Sequence, residues 1–226
     1  MLYIFVDLEM NPVDSVHVEE HKICSTEIIE IGAVMLDDGF KEIDSFKKFV
    51  KPKYSANISS ICRSLTGIRD ENLAGAGGFN DAMEDFIAWC LGHGEEYRIY
   101  SWSDSDRLQI CTEMKLKGYD KSEYTEYMLR NWEDFQKEYD RLIGVKQPVS
   151  LNRALISAGL EFTGKMHDAL CDARNTSILF GMSRNREEFL SSTKKIREAI
   201  NGNGKTVYKL GDMIDFDKLS SELNDS

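Results

Sequence analysis

Two carboxylates stand two residues apart at the end of an apolar opening segment. The segment LYIFVDL ends just before Glu9, so Asp7 and Glu9 form a D-x-E pattern. Side chains two apart on an extended strand point to the same face. Two like charges buried side by side are unfavourable unless a cation lies between them. The pattern therefore indicates a divalent-metal site. The alternative is a pair of solvated charges at a strand end, and this pattern alone leaves both open.

The segment SWSDSD (101–106) offers further carboxylates where a helix is expected to begin. Asp is also a common helix N-cap, and Ser-Asp clusters are common in turns. Taken alone, Asp104 and Asp106 are therefore weak evidence for chemistry. Two interpretations of Trp102 stay open, namely stacking on a terminal base and packing in the core.

A third candidate group lies in MHDALCDARNT (166–176). His167 and Asp172 are five residues apart, which on a helix would separate them by about 140°. His167 is therefore expected in the loop before a helix, with Asp168 as the N-cap and Asp172 in the first turn. Imidazole, with a reference pKa of about 6.5, suits proton transfer near neutral pH. The alternative is a structural histidine.

The apolar periodicity predicts an α/β domain that positions these three groups. Three strands close in sequence predict an antiparallel meander, and a later strand between helices predicts parallel pairing. The expected strands are 2–8, 28–36, 44–50 and 97–102, and the expected helices are 79–92, 106–114, 151–162 and 168–184. We assign residues 1–184 to one domain and 185–226 to a charged appendage, helical or partly disordered.

The charge balance argues at first sight against a nucleic-acid partner. The formal net charge is −11, from 28 basic and 39 acidic residues. Carboxylates gathered around metal ions would account for several of these charges. A local basic stripe is also present between positions 47 and 69, formed by Lys47, Lys48, Lys51, Lys53, Arg63 and Arg69. We expect weak non-specific binding and a preference for short or single-stranded ends.

Cysteine usage and hydropathy indicate a cytoplasmic protein. The five cysteines are scattered and form no CxxC pair, which argues against a disulfide framework and a zinc site. The sequence has no apolar run of about 18 residues and no signal peptide, so no membrane partner is expected.

The three groups together resemble the motifs of the DnaQ-like 3′→5′ exonucleases, in the branch named DEDDh. In that family the first motif is D-x-E, the second is an Asp at the start of a central helix, and the third is H-x4-D. The sequence is most similar to the ERI-like branch, whose S-W-x-x-x-D-R pattern selects Asp106 over Asp104. The segments EIIEIGAV (27–34) and LTGI (65–68) add to a resemblance that covers residues 1–184.

The resemblance implies a ribonuclease H-like fold and metal-dependent hydrolysis of single-stranded nucleic acid from its 3′ end. RNA is favoured over DNA, and nucleoside 5′-monophosphates are the expected products. By resemblance, two Mg²⁺ or Mn²⁺ ions are bound by Asp7, Glu9, Asp106 and Asp172, with His167 as the general base. Substrate contacts are expected from Met10, Leu65, Ile68 and Trp102.

Two other functions stay open at this stage. One is a non-catalytic regulator that keeps the fold and binds a protein partner, with 185–226 as a possible contact. The other is a polymerase-associated exonuclease that proofreads DNA. Every acidic motif position and the histidine are intact, which favours an enzyme over a scaffold.

Overall fold

The computed structural model describes residues 1–145 and 147–194. The five strands are β1 (Leu2–Pro12), β2 (Thr26–Leu36), β3 (Glu42–Phe49), β4 (Tyr97–Ser101) and β5 (Trp132–Asp134). The first seven helices are α1 (Val18–Ile23), α2 (Ser60–Thr66), α3 (Asp70–Leu73), α4 (Phe79–Leu91), α5 (Ser105–Lys117), α6 (Glu123–Arg130) and α7 (Phe135–Ile143). The last three are α8 (Leu151–Ser157), α9 (Ala169–Arg184) and α10 (Arg186–Ser192).

The strands form one mixed sheet in the order β3-β2-β1-β4-β5. The pairs β1–β2 and β2–β3 are antiparallel, whereas β1–β4 and β4–β5 are parallel. The prediction of an antiparallel meander followed by parallel strands is therefore confirmed. β1 lies at the centre of the sheet, which explains its nearly continuous apolar sequence, because strands covered on both faces bury both sets of side chains.

Each face of the sheet carries its own hydrophobic core. Ile4 and Val6 of β1 pack with residues of α4, α5 and α6, whereas Phe5 packs on the other face with residues of α7, α8 and α9. Alternation along β1 thus assigns successive side chains to opposite cores. Among the described residues, no helix is both long enough and apolar enough to cross a membrane.

Several boundaries differ from the sequence-based expectations. Helix α8 ends at Ser157, five residues before the predicted end, and Gly159 adopts a left-handed φ of +74° just beyond it. The packed domain also extends past residue 184, because α10 buries Phe189 against Tyr139 in the second core. The rest of the appendage, 195–226, lies outside the described residues.

Helix α9 lies directly on β2 at a glycine. A Cβ atom built on Gly32 would lie 2.2 Å from both the carbonyl carbon of Ala169 and the nitrogen of Leu170. No side chain fits at that distance, and a backbone cannot move aside as a flexible side chain can. Gly32 therefore permits the first turn of α9, which carries Asp172, to lie against the strand that pairs with β1.

We predict that Gly32→Ala displaces the first turn of α9 and destabilises the protein by at least about 1–3 kcal/mol, as overpacking does. Gly181→Ala is the matched control within α9, because its Cβ would meet its nearest neighbour at 3.7 Å. That change should stabilise the helix by about 0.5–1 kcal/mol. Urea unfolding of both variants measures the difference, and equal stabilities would contradict the close approach.

Candidate active site

The D-x-E pair lies at the end of β1 beside the second core. Asp7 pairs with Gly32 of β2, and Glu9 pairs with Glu30, followed by a register shift between Glu9 and Met10. Bulges of this kind end regular pairing and re-aim side chains, and they are frequent next to active sites. The expectation that Asp7 and Glu9 share a face is met, since both approach Asp172.

Three carboxylates from distant parts of the chain converge at this point. Asp7, Glu9 and Asp172 each offer an oxygen, and these oxygens lie within 4.8 Å of one another. Asp172 lies in the first turn of α9. Hard carboxylate oxygens at such spacing suit Mg²⁺ or Mn²⁺.

Asp106 borders this group from the first turn of α5. It is only 6% exposed, and its charge raises the pKa of Asp7. Asp104 instead forms a two-pronged ion pair with Arg107, at 2.8 and 3.2 Å, which lowers its pKa. Asp106 thus lies beside the cluster while Asp104 is engaged by Arg107, and the choice of Asp106 as a metal ligand stays a prediction.

The third motif has the predicted local arrangement. His167 lies in the turn before α9 with a φ of +60°, and Asp168 caps the helix by accepting a hydrogen bond from the Cys171 backbone N–H at 3.1 Å. The backbone N–H of His167 donates to Asp172 Oδ2 at 2.8 Å. The exposed histidine is thus tied through its backbone to a carboxylate of the cluster.

Burial and mutual repulsion raise the pKa values of the four carboxylates. Burial, followed by the charges of Asp106 and Asp172, holds the pKa of Asp7 well above its usual value. Burial and then Asp172 and Glu30 raise the pKa of Glu9 to about 8. Burial raises the pKa of Asp106 to about 7, and that of Asp172 to about 6 despite the hydrogen bond from His167. A bound cation would relieve this repulsion, so the donor set fits a divalent metal.

Two of the four residues predicted to contact substrate lie in the core instead. Trp102 is 9% exposed, packs against Phe135 and Tyr139, and donates its indole N–H to the Val149 carbonyl at 3.1 Å. Ile68 is 4% exposed within a small apolar cluster below α2. The side chains of Trp102 and Ile68 are both too buried to contact a nucleotide, so both assignments are withdrawn.

Leu65 and Met10 keep positions compatible with substrate contact. Leu65 is 41% exposed on α2, and Met10 is partly buried next to Glu9. The Met10 carbonyl accepts from the Cys62 thiol of α2 at 3.4 Å, which places this helix beside the end of β1. Their contact with nucleotides stays a prediction.

Half of the predicted basic stripe is paired with acidic partners, as Lys47 is with Glu30 and Asp168. Lys48 pairs with Asp85 of α4, on the face of the sheet opposite to Asp7. Arg63 pairs with Asp70 at 3.1 Å. Among the described residues, Lys51, Lys53 and Arg69 form no ion pair, so they are the cations of the stripe left for an anionic ligand.

Sequence reasoning missed a second set of charges behind the cluster. Glu30, 2% exposed, faces Glu9 across the strand pair, and Lys47 of β3 lies 3.0 Å from its Oε1. The same ammonium group lies 2.5 Å from Asp168 Oδ2. Glu30, the second of two glutamates in the segment EIIEIGAV, was the available signal, but its partner on β3 depends on strand register.

We predict that the metal-free protein loses stability as the pH rises. The pKa values of Glu9, Asp106 and Asp172 lie above the usual 3.9–4.3 of the unfolded chain. Their contribution is therefore fully present below about pH 4 and is lost as the pH rises through about 6 to 8. Urea unfolding in EDTA should show a falling free energy of unfolding between pH 5 and pH 8.

Glu9→Gln with Asp106→Asn is the control for this effect. The double variant should reduce the pH slope, since it removes two of the titrating groups. Mg²⁺ should restore stability to the wild type most strongly at pH 8. A wild-type stability that is constant or rises over this range, or an unchanged slope in the double variant, would contradict the assignment.

Comparison with known proteins agrees with the motifs and the fold. The family model RNase_T, described as an exonuclease, matches residues 4–180. The protein is 30% identical over 169 residues to ERI1 exoribonuclease 2 of Danio rerio, which covers 68% of this chain and 30% of that protein. It is 29% identical over 177 residues to 3′-5′ exoribonuclease 1 of Mus musculus, covering 74% and 47% respectively. The chain thus spans less than half the length of these relatives.

The structure is similar to the crystallographic structure of the nuclease domain of 3′hExo, described as a DEDDh family member bound to rAMP. The TM-score is 0.69 at 21% identity, over 81% of this chain and 92% of that chain. This likeness confirms the ribonuclease H-like fold. With the family model matched over most of the described residues, the chain belongs to this exonuclease family, and the relatives it resembles here are ERI-type exoribonucleases.

Proposed function

We propose that the protein is a metal-dependent 3′→5′ exonuclease that shortens single-stranded nucleic acid, with RNA favoured, and releases nucleoside 5′-monophosphates. The observation that carries the proposal is the convergence of Asp7, Glu9 and Asp172 within 4.8 Å, bordered by Asp106. Carboxylates that raise one another's pKa at a buried site are a common sign of function. Family membership supplies independent support for the chemistry.

Asp7, Glu9, Asp106 and Asp172 would hold two Mg²⁺ or Mn²⁺ ions. When bound, such ions neutralise charge on the phosphate and on the leaving 3′ oxygen and acidify the attacking water. The protein contributes by holding Asp7, Glu9 and Asp172 within 4.8 Å of one another, with Asp106 beside them. Asp106 and Asp172 both lie in first turns of helices, where the positive end of the helix dipole favours an anion.

His167 is the proposed general base. Its imidazole would accept a proton from the water that attacks the phosphorus, and its location in an exposed turn leaves it access to solvent and substrate. The hydrogen bond from its backbone N–H to Asp172 fixes the start of this side chain relative to the carboxylates. The base and the metal ligands are therefore connected through one short segment.

The preference for RNA and for 3′ ends rests on the relatives. Two of them are named exoribonucleases, and one related structure is described as bound to rAMP. A preference for single strands is consistent with the strongly negative net charge of −11, because tight binding to duplex requires many phosphate contacts from basic residues. Leu65, exposed on α2, is the residue we propose to pack against a terminal nucleotide.

The test is degradation of matched 5′-labelled RNA and DNA oligomers by the full chain. We expect one-nucleotide shortening with Mg²⁺ or Mn²⁺, faster for RNA, and none in EDTA. Release of nucleoside 5′-monophosphates is checked by chromatography. Binding of the oligomers without shortening would support the alternative of a non-catalytic regulator. Faster cleavage of DNA than of RNA would contradict the proposed RNA preference.

Substitutions separate the two proposed roles. Asp7→Ala should abolish cleavage, because it removes a ligand from the centre of the cluster. His167→Ala should lower kcat by about 10²–10⁴-fold, the usual effect of losing a general base. Calorimetric titration with Mn²⁺ should show that metal binding survives in His167→Ala.

His93→Ala is the matched control for the histidine. His93 is paired with Asp44 at 3.0 Å, with Trp89 of α4 bonded to the same carboxylate. Its loss should leave kcat unchanged. Full activity in His167→Ala would remove the assigned role of that residue without affecting the metal site.

A further inference from the structure

Lys47 forms a bridge behind the carboxylate cluster. It lies on β3, two strands away from β1, with its side chain about one-third exposed. Its ammonium nitrogen lies 3.0 Å from Glu30 Oε1 and 2.5 Å from Asp168 Oδ2. One cation thus joins the sheet to the cap of α9.

The Glu30 end of the bridge concerns the electrostatics of the cluster. Glu30 is the direct cross-strand partner of Glu9 and is almost completely buried. Its charge raises the pKa of Glu9. A buried carboxylate without a cation would be strongly unfavourable. Lys47 of β3 supplies that cation.

The Asp168 end of the bridge concerns geometry. Asp168 uses Oδ1 to cap α9 and Oδ2 to bind Lys47, so both of its oxygens are engaged. The preceding His167 has a left-handed φ of +60°, a conformation that is uncommon for non-glycine residues. Its N–H then donates to Asp172 Oδ2.

We infer that Lys47 is a positioning residue, which fixes the His167 turn on the sheet through Asp168 and neutralises Glu30 behind Glu9. The inference rests on the proposed function for its effect on catalysis. Lys47 itself touches none of the four proposed metal ligands in the contacts of the described residues, so it acts through Glu30 and Asp168.

The charges of the bridge are consistent with this role. Burial opposes the charged ammonium, yet the hydrogen bond to Asp168 and the ion pair with Glu30 raise the pKa of Lys47. Burial raises the pKa of Glu30, and Lys47 opposes that effect. Lys47 therefore stays protonated across the pH range in which the protein would work.

Three variants test the bridge. Lys47→Met removes the cation and keeps the length of the side chain, whereas Lys47→Arg keeps the charge and the donors. Asp168→Asn keeps the helix cap, because Asn caps as well as Asp, but weakens the bond to Lys47. Glu42→Gln is the control, since Glu42 and Arg174 form another ion pair between β3 and α9, at 2.8 Å.

The first measurement is amide hydrogen exchange of the metal-free protein, followed by NMR. In Lys47→Met and Asp168→Asn, the His167 amide should exchange on the order of tenfold faster, as local opening becomes easier. Amides in the centre of β1 should keep their protection. Lys47→Arg and Glu42→Gln should resemble the wild type.

The second measurement is steady-state cleavage of a labelled RNA oligomer at saturating Mg²⁺. Lys47→Met should lower kcat by about 10–100-fold, as loss of outer-shell partners does, with KM within about twofold of the wild type. Lys47→Arg should recover most of the loss. A general loss of stability would not produce this pattern in a protein that is fully folded by circular dichroism.

The exchange measurement tests whether Lys47 holds the His167 turn, and the kinetic measurement tests whether this matters for catalysis. Unchanged exchange of the His167 amide in Lys47→Met overturns the bridge, whatever the activity. Faster exchange with an unchanged kcat overturns its role in catalysis. If the wild type cleaves no oligomer, the proposed function fails, and the exchange measurement still decides whether Lys47 holds the turn.

Discussion

Repulsion among buried carboxylates is the constraint to which the rest of the structure responds. Asp7, Glu9 and Asp172 lie within 4.8 Å of one another, with Asp106 alongside. In the absence of a cation these groups oppose folding at neutral pH, because each must lose solvent next to like charges. Packing elsewhere has to supply the free energy that keeps them together. Rigid positioning of such groups is what electrostatic preorganisation requires.

The fold meets this constraint with rigid elements. The central strand β1 is held by neighbours on both sides and by a core on each face, so the D-x-E pair has little freedom to separate. Gly32 allows α9 to approach β2 at backbone contact. Both helical carboxylates stand at helix N-termini, where backbone N–H groups partly compensate their charge.

The acidic composition of the protein is partly explained by the positions of its charged side chains in the fold. Part of the net charge of −11 is concentrated in the cluster, where a divalent cation would neutralise it. Half of the basic stripe forms internal ion pairs, as Lys47 does with Glu30 and Asp168, and Lys48 does with Asp85. Net charge alone therefore predicts neither the electrostatic potential at the carboxylate cluster nor which basic side chains are available to bind a ligand.

Local rules were sufficient for the antiparallel and parallel pairing of the first four strands and for the arrangement of the motif residues, but they did not predict β5. The two-residue period of a strand placed Asp7 and Glu9 on one face, and the 100° step of a helix placed His167 in a turn with Asp168 as its cap. These inferences need only neighbouring residues. They extend to the meander and the parallel strands, because short connections leave few topologies.

Only the tertiary structure decided which side chains are accessible and which distant charges meet. Trp102 and Ile68 are apolar side chains in loop-rich segments, and their burial depends on α7 and on the packing below α2. The pairing of Lys47 with Glu30 depends on the register of β3, and that of Lys47 with Asp168 on the position of α9. Exposure and long-range ion pairs are properties of several elements at once, so sequence periodicity, which describes one element at a time, does not contain them.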